Sequence, residues 1–206
     1  LPFTPGGELA GVVSAVGEGV TEFNVGDEVI GMPGNGGFAE QILISKNQLF
    51  KKPSNMDFAT AACFTLTYGT SHYALKDKAQ LKEGETVLIM GASGGVGISA
   101  IEIAKAYNSI VIACGGNDKK LLECLNKGAD YILNYNNKIL RQELKKIGIN
   151  EVDVVVDMVG GQSSLDLVKS LKWDGRIVIV GFTSGNIPEI PANRLLLKNA
   201  RAEGLY

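Results

Sequence analysis

Residues 86–108 read TVLIMGASGGVGISAIEIAKAYN: an apolar run, a glycine turn, then a stretch with helical spacing of its apolar residues. The turn over 91–97 follows a strand-like run and opens a helix-like one, the context in which a glycine pattern marks a dinucleotide seat. Its letters are Ala92-x-Gly94-x-x-Gly97, the fingerprint with alanine in the first slot. Gly94 and Gly95 let the backbone approach a pyrophosphate, and Ala92, Ser93 and Val96 complete the expected cofactor-binding turn. Gly97 lets helix and strand pack closely, and the helix N-terminus faces the negative charge. A tight turn that holds no ligand is the competing explanation, and the complete strand-turn-helix context outweighs it.

Downstream, strand and helix patterns alternate. The strand SIVIACG is followed by a helix around 119–126, the strand YILNY, a helix around 140–146 and the strand VDVVVDMV. A helix around 164–171 and the strand GRIVIVGF follow, and KNARAEGLY supplies a last strand. Continuous apolar strands alternating with helices predict a doubly wound parallel sheet covered on both faces. Upstream, from Leu1 to about Lys52, short β-branched runs at Val12-Val13, Val29-Ile30 and Ile42-Leu43-Ile44 are separated by Gly- and Asp-rich turns. This predicts an all-β segment, part of a small barrel or sandwich. Near Asp57 the texture becomes Ala-rich and helical, with Ser54 or Asn55 as cap, so the domains are placed at 1–56 and 57–206.

The choice of dinucleotide turns on the end of the second strand, Ala113-Cys114-Gly115, where an acid would hold a free ribose 2′-hydroxyl. Asp118 satisfies the spacing, but Asn117 and Asp118 open the next helix and are assigned to capping. Lys120, on that first turn, suits a 2′-phosphate, which favours NADPH over NADH. A zinc ion is not expected. The single His72 lies on an Ala-rich helix without a partner at ligand spacing, and neither Glu8 nor Cys63, Cys114 and Cys124 complete a set. Without a metal, a reduced oxyanion must be met by hydrogen bonds or solvent, which suits quinones and conjugated enones.

Composition agrees with a soluble globular chain. Of 206 residues 45% are hydrophobic and 20% charged, and the net charge of -2 offers no basic field for nucleic acid or anionic membranes. Glycine, at 26 residues, is well above the average of roughly 7% and concentrates in the turns. No apolar run reaches the roughly 18 residues of a membrane span. The start LPFTPGGELAG lacks a secretory pattern, and the three cysteines suit reduced thiols, so a cytoplasmic protein is expected, with a mitochondrial address left open. A chain that opens without Met and stops at Tyr206 reads as a fragment.

These stretches resemble the zinc-free medium-chain dehydrogenases/reductases, close to the quinone oxidoreductase and zeta-crystallin group and to quinone oxidoreductase-like proteins. PGGELAGVVSAVGEGVTEFNVGDEVIG resembles their GroES-like barrel, with Gly7 where zinc alcohol dehydrogenases carry a ligand histidine. YGTSHYAL, GADYILNY, VVVDMVGG, GRIVIVGF and IPEIPANRLLLKN continue the series. The resemblance implies an NADPH-dependent reductase of quinones or α,β-unsaturated carbonyls. It places Thr70 near the nicotinamide, Lys120 and Tyr135 as the pair around the 2′-phosphate, and Val159, Gly181 and Phe182 along the nicotinamide crevice, with Gly116 also among the cofactor-binding residues. No catalytic side chain is assigned; Tyr68 is the nearest candidate and reads better as a packing residue. The family's first barrel strands would precede Leu1 and its last helices would follow Tyr206. An enoyl-thioester reductase and a non-catalytic, crystallin-like NADPH binder are the rival readings, and a homodimer is what the family implies.

Overall fold

The computed structural model describes residues 2–136 and 139–206, with only the backbone of Gln162. The chain divides into two compact units, 1–69 and 70–206. The division lies within a helix, Phe64–His72, beyond the change of texture at 56/57.

In the first unit, β1 (Leu9–Val12), β2 (Glu28–Gly31) and β3 (Leu49–Lys51) form an antiparallel sheet in that order. Ala10 pairs with Ile30, and Ile30 with Phe50. Val29, Ile30 and Gly31 of β2 are buried, as is Phe23 outside the strands. The expected strand at Ile42-Leu43-Ile44 does not form. The segment is extended but joins no ladder; Ile42 and Ile44 are half-buried, close to Gly36 and Gly31, while Leu43 points into solvent. Alternation of period two therefore reports an extended chain, not a hydrogen-bonded one.

The Ala-rich stretch breaks into α1 (Phe58–Ala61), α2 (Phe64–His72) and a π-helical turn over Tyr73–Lys78. Its cap is Asp57, not Ser54 or Asn55. Asp57 Oδ1 accepts from the Thr60 N–H at 2.9 Å and Oδ2 from the Thr60 hydroxyl at 2.8 Å, so the two-point bond decides the start.

The second unit holds β4 (Thr86–Met90), α3 (Gly95–Ala106), β5 (Ile110–Gly115), α4 (Asp118–Asn126), β6 (Tyr131–Asn134) and α5 (Leu140–Lys146). It continues through β7 (Val152–Asp157), α6 (Ser164–Lys169), β8 (Leu171–Ile179), α7 (Ala192–Leu196) and β9 (Arg201–Gly204). The strands are parallel in the order β6-β5-β4-β7-β8-β9, the doubly wound sheet that the alternation predicts. All five residues of β4 are buried, since helices cover both faces. Ile89, Ala100, Ile101, Leu121 and Leu75 fill one side, and Leu88, Ile112, Leu144 and Leu167 the other. Burying each such aliphatic side chain contributes about 1.5–3 kcal/mol.

One boundary differs from expectation. The helix at 164 ends at Lys169, and β8 starts at Leu171 because Val152 pairs there before the register jumps to Val154 opposite Arg176. The excess residues bulge at Asp174, in the left-handed region at φ 59°, and leave Trp173 exposed. Among the described residues no helix is long and apolar enough to cross a membrane.

Candidate functional site

In this strand order the chain leaves β4 outward through β5 and β6, then returns to the other side of β4 as β7. Connections diverge between β4 and β7, so a crevice opens at their carboxyl ends, where open parallel sheets bind ligands. The turn 91–97 and the turn 157–161 form its two lips. Gly91 stands at φ 72°, and a Cβ on it would come within 3.2 Å of Val159 Cγ2, so the lips touch. The Ala92 N–H donates to the Cys114 carbonyl at 3.0 Å, and the Gly94 N–H to the Gly91 carbonyl at 3.0 Å. Gly94 is the N-cap of α3 and brings no side-chain acceptor, so the first-turn N–H groups at Gly95, Val96 and Gly97 have no intrahelical partner. At Gly97 an added Cβ would lie 2.5 Å from the Ala92 carbonyl oxygen and 2.6 Å from its Cα. The turn thus leaves the first N–H groups of α3 without helical partners and brings the helix close against Ala92.

Beyond β5 the polar ends of β5 and β6 are tied together. Asn136 Nδ2 donates to the Gly116 carbonyl at 2.7 Å, and Asn134 Nδ2 donates to Asp118 Oδ1 at 2.7 Å. Capping of α4 falls to Asn117 alone, whose Oδ1 accepts the Lys120 N–H at 3.1 Å. Asp118 is a first-turn residue bonded across to β6, a correction to its assignment as a cap. The Lys120 side chain is exposed and makes no ion pair among the described residues. Tyr135 is half-buried; burial above all pushes its phenol up, so it is a proton donor at neutral pH. Asn134 and Asn136 were not singled out from the sequence, where an Asn-rich strand end carries no distinguishing signal.

Val159, Gly181 and Phe182 come together on the other lip. The backbone carbonyl of Asp157 accepts from the Val180 and Gly181 N–H groups at 2.8 and 3.3 Å, and the Ser184 N–H donates to the Val159 carbonyl at 3.0 Å. Gly160 stands at φ 68°, with a Cβ position 2.7 Å from the Asn186 carbonyl and 3.1 Å from the Phe182 ring. The side chain of Asp157 organises this lip, and sequence reasoning passed over it. Its Oδ1 accepts from the Val159 and Gly160 N–H groups at 2.9 and 3.0 Å, while Oδ2 is buried without a partner among the described residues.

Burial pushes the Asp157 carboxyl above its ordinary range, against the two N–H groups that pull it down. A raised pKa in the folded state means that folding is favoured by protonation, with stability falling as pH rises from the ordinary carboxylate range through the raised value. Asp157→Asn keeps the Oδ1 acceptor and removes the titration. Its Tm relative to the parent is expected to rise between pH 4 and pH 8, measured by thermal unfolding across that range; a pH-independent difference would contradict the burial argument.

Thr70 lies half-buried on α2, and its neighbour Ser71 contacts the first turn of α3. Cys114 and Cys124 are buried free thiols pushed up by burial, and Cys63 is exposed and free. Among the described residues no three of His, Cys, Asp or Glu are grouped so as to hold a metal ion.

A parallel sheet of this order with a glycine turn at its switch point has the architecture of the dinucleotide-binding folds. Residues 1–54 match the alcohol dehydrogenase GroES-like domain, and residues 95–206 match the family described as zinc-binding dehydrogenase. The chain belongs to this zinc-binding dehydrogenase family, within the medium-chain dehydrogenases/reductases. It is 41% identical to the quinone oxidoreductase-like protein 2 of Rattus norvegicus over all of this chain and 59% of that protein. It is 34% identical to the quinone oxidoreductase of Homo sapiens over 88% of this chain and 56% of that protein. The crystal structure of Escherichia coli quinone oxidoreductase complexed with NADPH superposes with a TM-score of 0.91 at 31% identity, covering 100% of this chain and 64% of that one. The chain spans about 59% of the length of the rat relative.

Proposed function

We propose that the protein is an NADPH-dependent reductase that passes a hydride to a quinone or an α,β-unsaturated carbonyl without zinc. The observation that carries this is the turn 91–97 at the switch point, with α3 held hard against Ala92 by Gly97. The N–H groups of Gly95, Val96 and Gly97 hold the pyrophosphate, joined at the turn by Ala92, Ser93 and Gly94. Lys120 and Tyr135, beside Gly116, hold the 2′-phosphate: the lysine as a free cation, the phenol as a hydrogen-bond donor. Thr70, Val159, Gly181 and Phe182 orient the nicotinamide. When bound, NADPH supplies the hydride from its C4 and leaves as NADP⁺; the acceptor's proton comes from solvent. This chain contributes mostly positioning.

Support comes from the NADPH complex of the E. coli relative and from the quinone oxidoreductase names of its kin. The test is titration of NADPH and NADH against intrinsic fluorescence, for the parent and Lys120→Ala, followed by turnover of quinones and enones. Loss of one charge-assisted contact to the 2′-phosphate is expected to weaken NADPH about tenfold and leave NADH unchanged. Equal affinity for both cofactors in the parent would refute the 2′-phosphate assignment.

A further inference from the structure

Two buried hydroxyls lie under the candidate pyrophosphate seat. Ser71, on α2, is fully buried, and Ser99, on the second turn of α3, is 1% exposed. The surroundings are apolar, with Leu75, Ala92, Ala100 and Ile101 in the same core. Ser71 Oγ donates to the Val96 carbonyl at 2.7 Å and lies 2.8 Å from Ser99 Oγ; Ser99 Oγ is 3.1 Å from the Gly95 carbonyl and 3.0 Å from that of Val96. Two hydroxyls carry two protons. With the Ser71 proton on the Val96 carbonyl, Ser99 Oγ has Ser71 Oγ and the Gly95 and Val96 carbonyls within hydrogen-bond reach. An extra hydrogen bond is thereby made to the peptides that start α3.

These peptides matter because of their other end. The Gly95 carbonyl shares its peptide with the Val96 N–H, and the Val96 carbonyl with the Gly97 N–H. Both N–H groups are among the orphan donors of α3. Hydrogen bonding at a carbonyl polarises its peptide and strengthens the N–H as a donor, more so in a dry interior. Ser71 also follows Thr70 on the same helix, so the bond ties the segment carrying Thr70 to the fingerprint turn. Immediately beyond, the helix widens into the π turn over Tyr73–Lys78, held by bonds such as that from the Ala79 N–H to the Ala74 carbonyl at 2.8 Å.

We propose that Ser71 and Ser99 are positioning residues for the pyrophosphate: a hydroxyl clamp that orients and polarises the first-turn peptides of α3. The proposal rests on the cofactor reading above and deepens it. Serine-to-alanine changes here remove polar groups within an apolar site and leave shapes that fill it, so stability changes little. Ligand recognition responds instead, and only for ligands bearing a pyrophosphate.

The test compares the 206-residue protein with Ser71→Ala, Ser99→Ala and the double variant. NADPH and ADP-ribose, which carry a pyrophosphate, are titrated beside 2′-AMP, which does not, and Tm is recorded for each. In the double variant the expected result is a loss of about three- to tenfold for NADPH and ADP-ribose, with 2′-AMP and Tm unchanged. The two single losses should not add, because the hydroxyls share their protons. A parent that binds all three ligands and variants that match it would overturn the clamp alone. Uniform weakening of all three with a lowered Tm would also overturn it, in favour of packing. A parent that binds none of them would overturn the cofactor reading, and the clamp with it.

Discussion

Gly97→Ala is expected to lower Tm by roughly 6–12 °C, from about 3 kcal/mol of overpacking in a unit of this size, and to abolish measurable NADPH binding. The methyl group would be pressed to 2.5 Å from the Ala92 carbonyl oxygen and 2.6 Å from its Cα, and both are backbone atoms, so no side chain can swing away. Ala92 is itself fully buried, so the start of α3 must move away from the turn. That movement takes the Gly95–Gly97 donors out of register with the crevice. Gly94→Ala supplies the control. Gly94 has φ -83° and its nearest atom to an added Cβ is the Gly91 carbonyl oxygen at 3.4 Å, so the change fits the fold with little loss of Tm. It still adds a methyl group where the backbone would meet the pyrophosphate. Thermal unfolding and NADPH titration of the pair separate the packing role from ligand approach; a Gly97→Ala protein with parental Tm would refute the first.

Arg176→Met carries the other large effect, again about 3 kcal/mol and roughly 6–12 °C in Tm. Arg176 is 5% exposed on β8 and reaches across the base of the sheet. Its guanidinium makes a two-point bond to Glu85 at 2.7 and 2.6 Å, while Nε donates to the Ala79 carbonyl at 2.6 Å and Nη2 to that of Gln80 at 3.3 Å. One side chain thus secures the end of the π turn, the approach to β4 and β8. Methionine fills much of the volume but strands a partly buried carboxylate and two carbonyls. Lysine should not rescue it, because a single ammonium cannot reproduce the planar fork. Burial alone would raise the Glu85 carboxyl, but Arg176 and the Lys82 N–H outweigh it and hold it below its ordinary value. The pair therefore contributes above the ordinary glutamate range, and its contribution is lost as pH falls through the lowered value. The Tm gap between parent and Arg176→Met should narrow on acidification; a gap that is constant, or absent at neutral pH, would contradict this account.

Several of these groups have no signature in the chain. Residue type alone points to Ser54 or Asn55 for one helix and to Asn117 and Asp118 for the other; Asp57 and Asn117 hold the helices because their oxygens meet the third residue's N–H. The isoleucines at 42 and 44 alternated as strands do and stayed outside the ladder.

What the sequence determined by itself was the parallel sheet, its covering helices and the strand-turn-helix of 86–106. Apolar spacing reports which face each element buries, and glycine reports where the backbone must turn or press close, so both can be read from neighbours in the chain. Only the tertiary structure decided which polar groups converge. Ser71 meets Ser99 across 28 residues and Arg176 meets Glu85 across 91, while the Asp157 carboxyl closes a lip whose other wall, at Gly181, is brought back by the next strand. A polar side chain has no period, and its worth depends on which donor or acceptor the fold places opposite it, a choice made by the order of the strands.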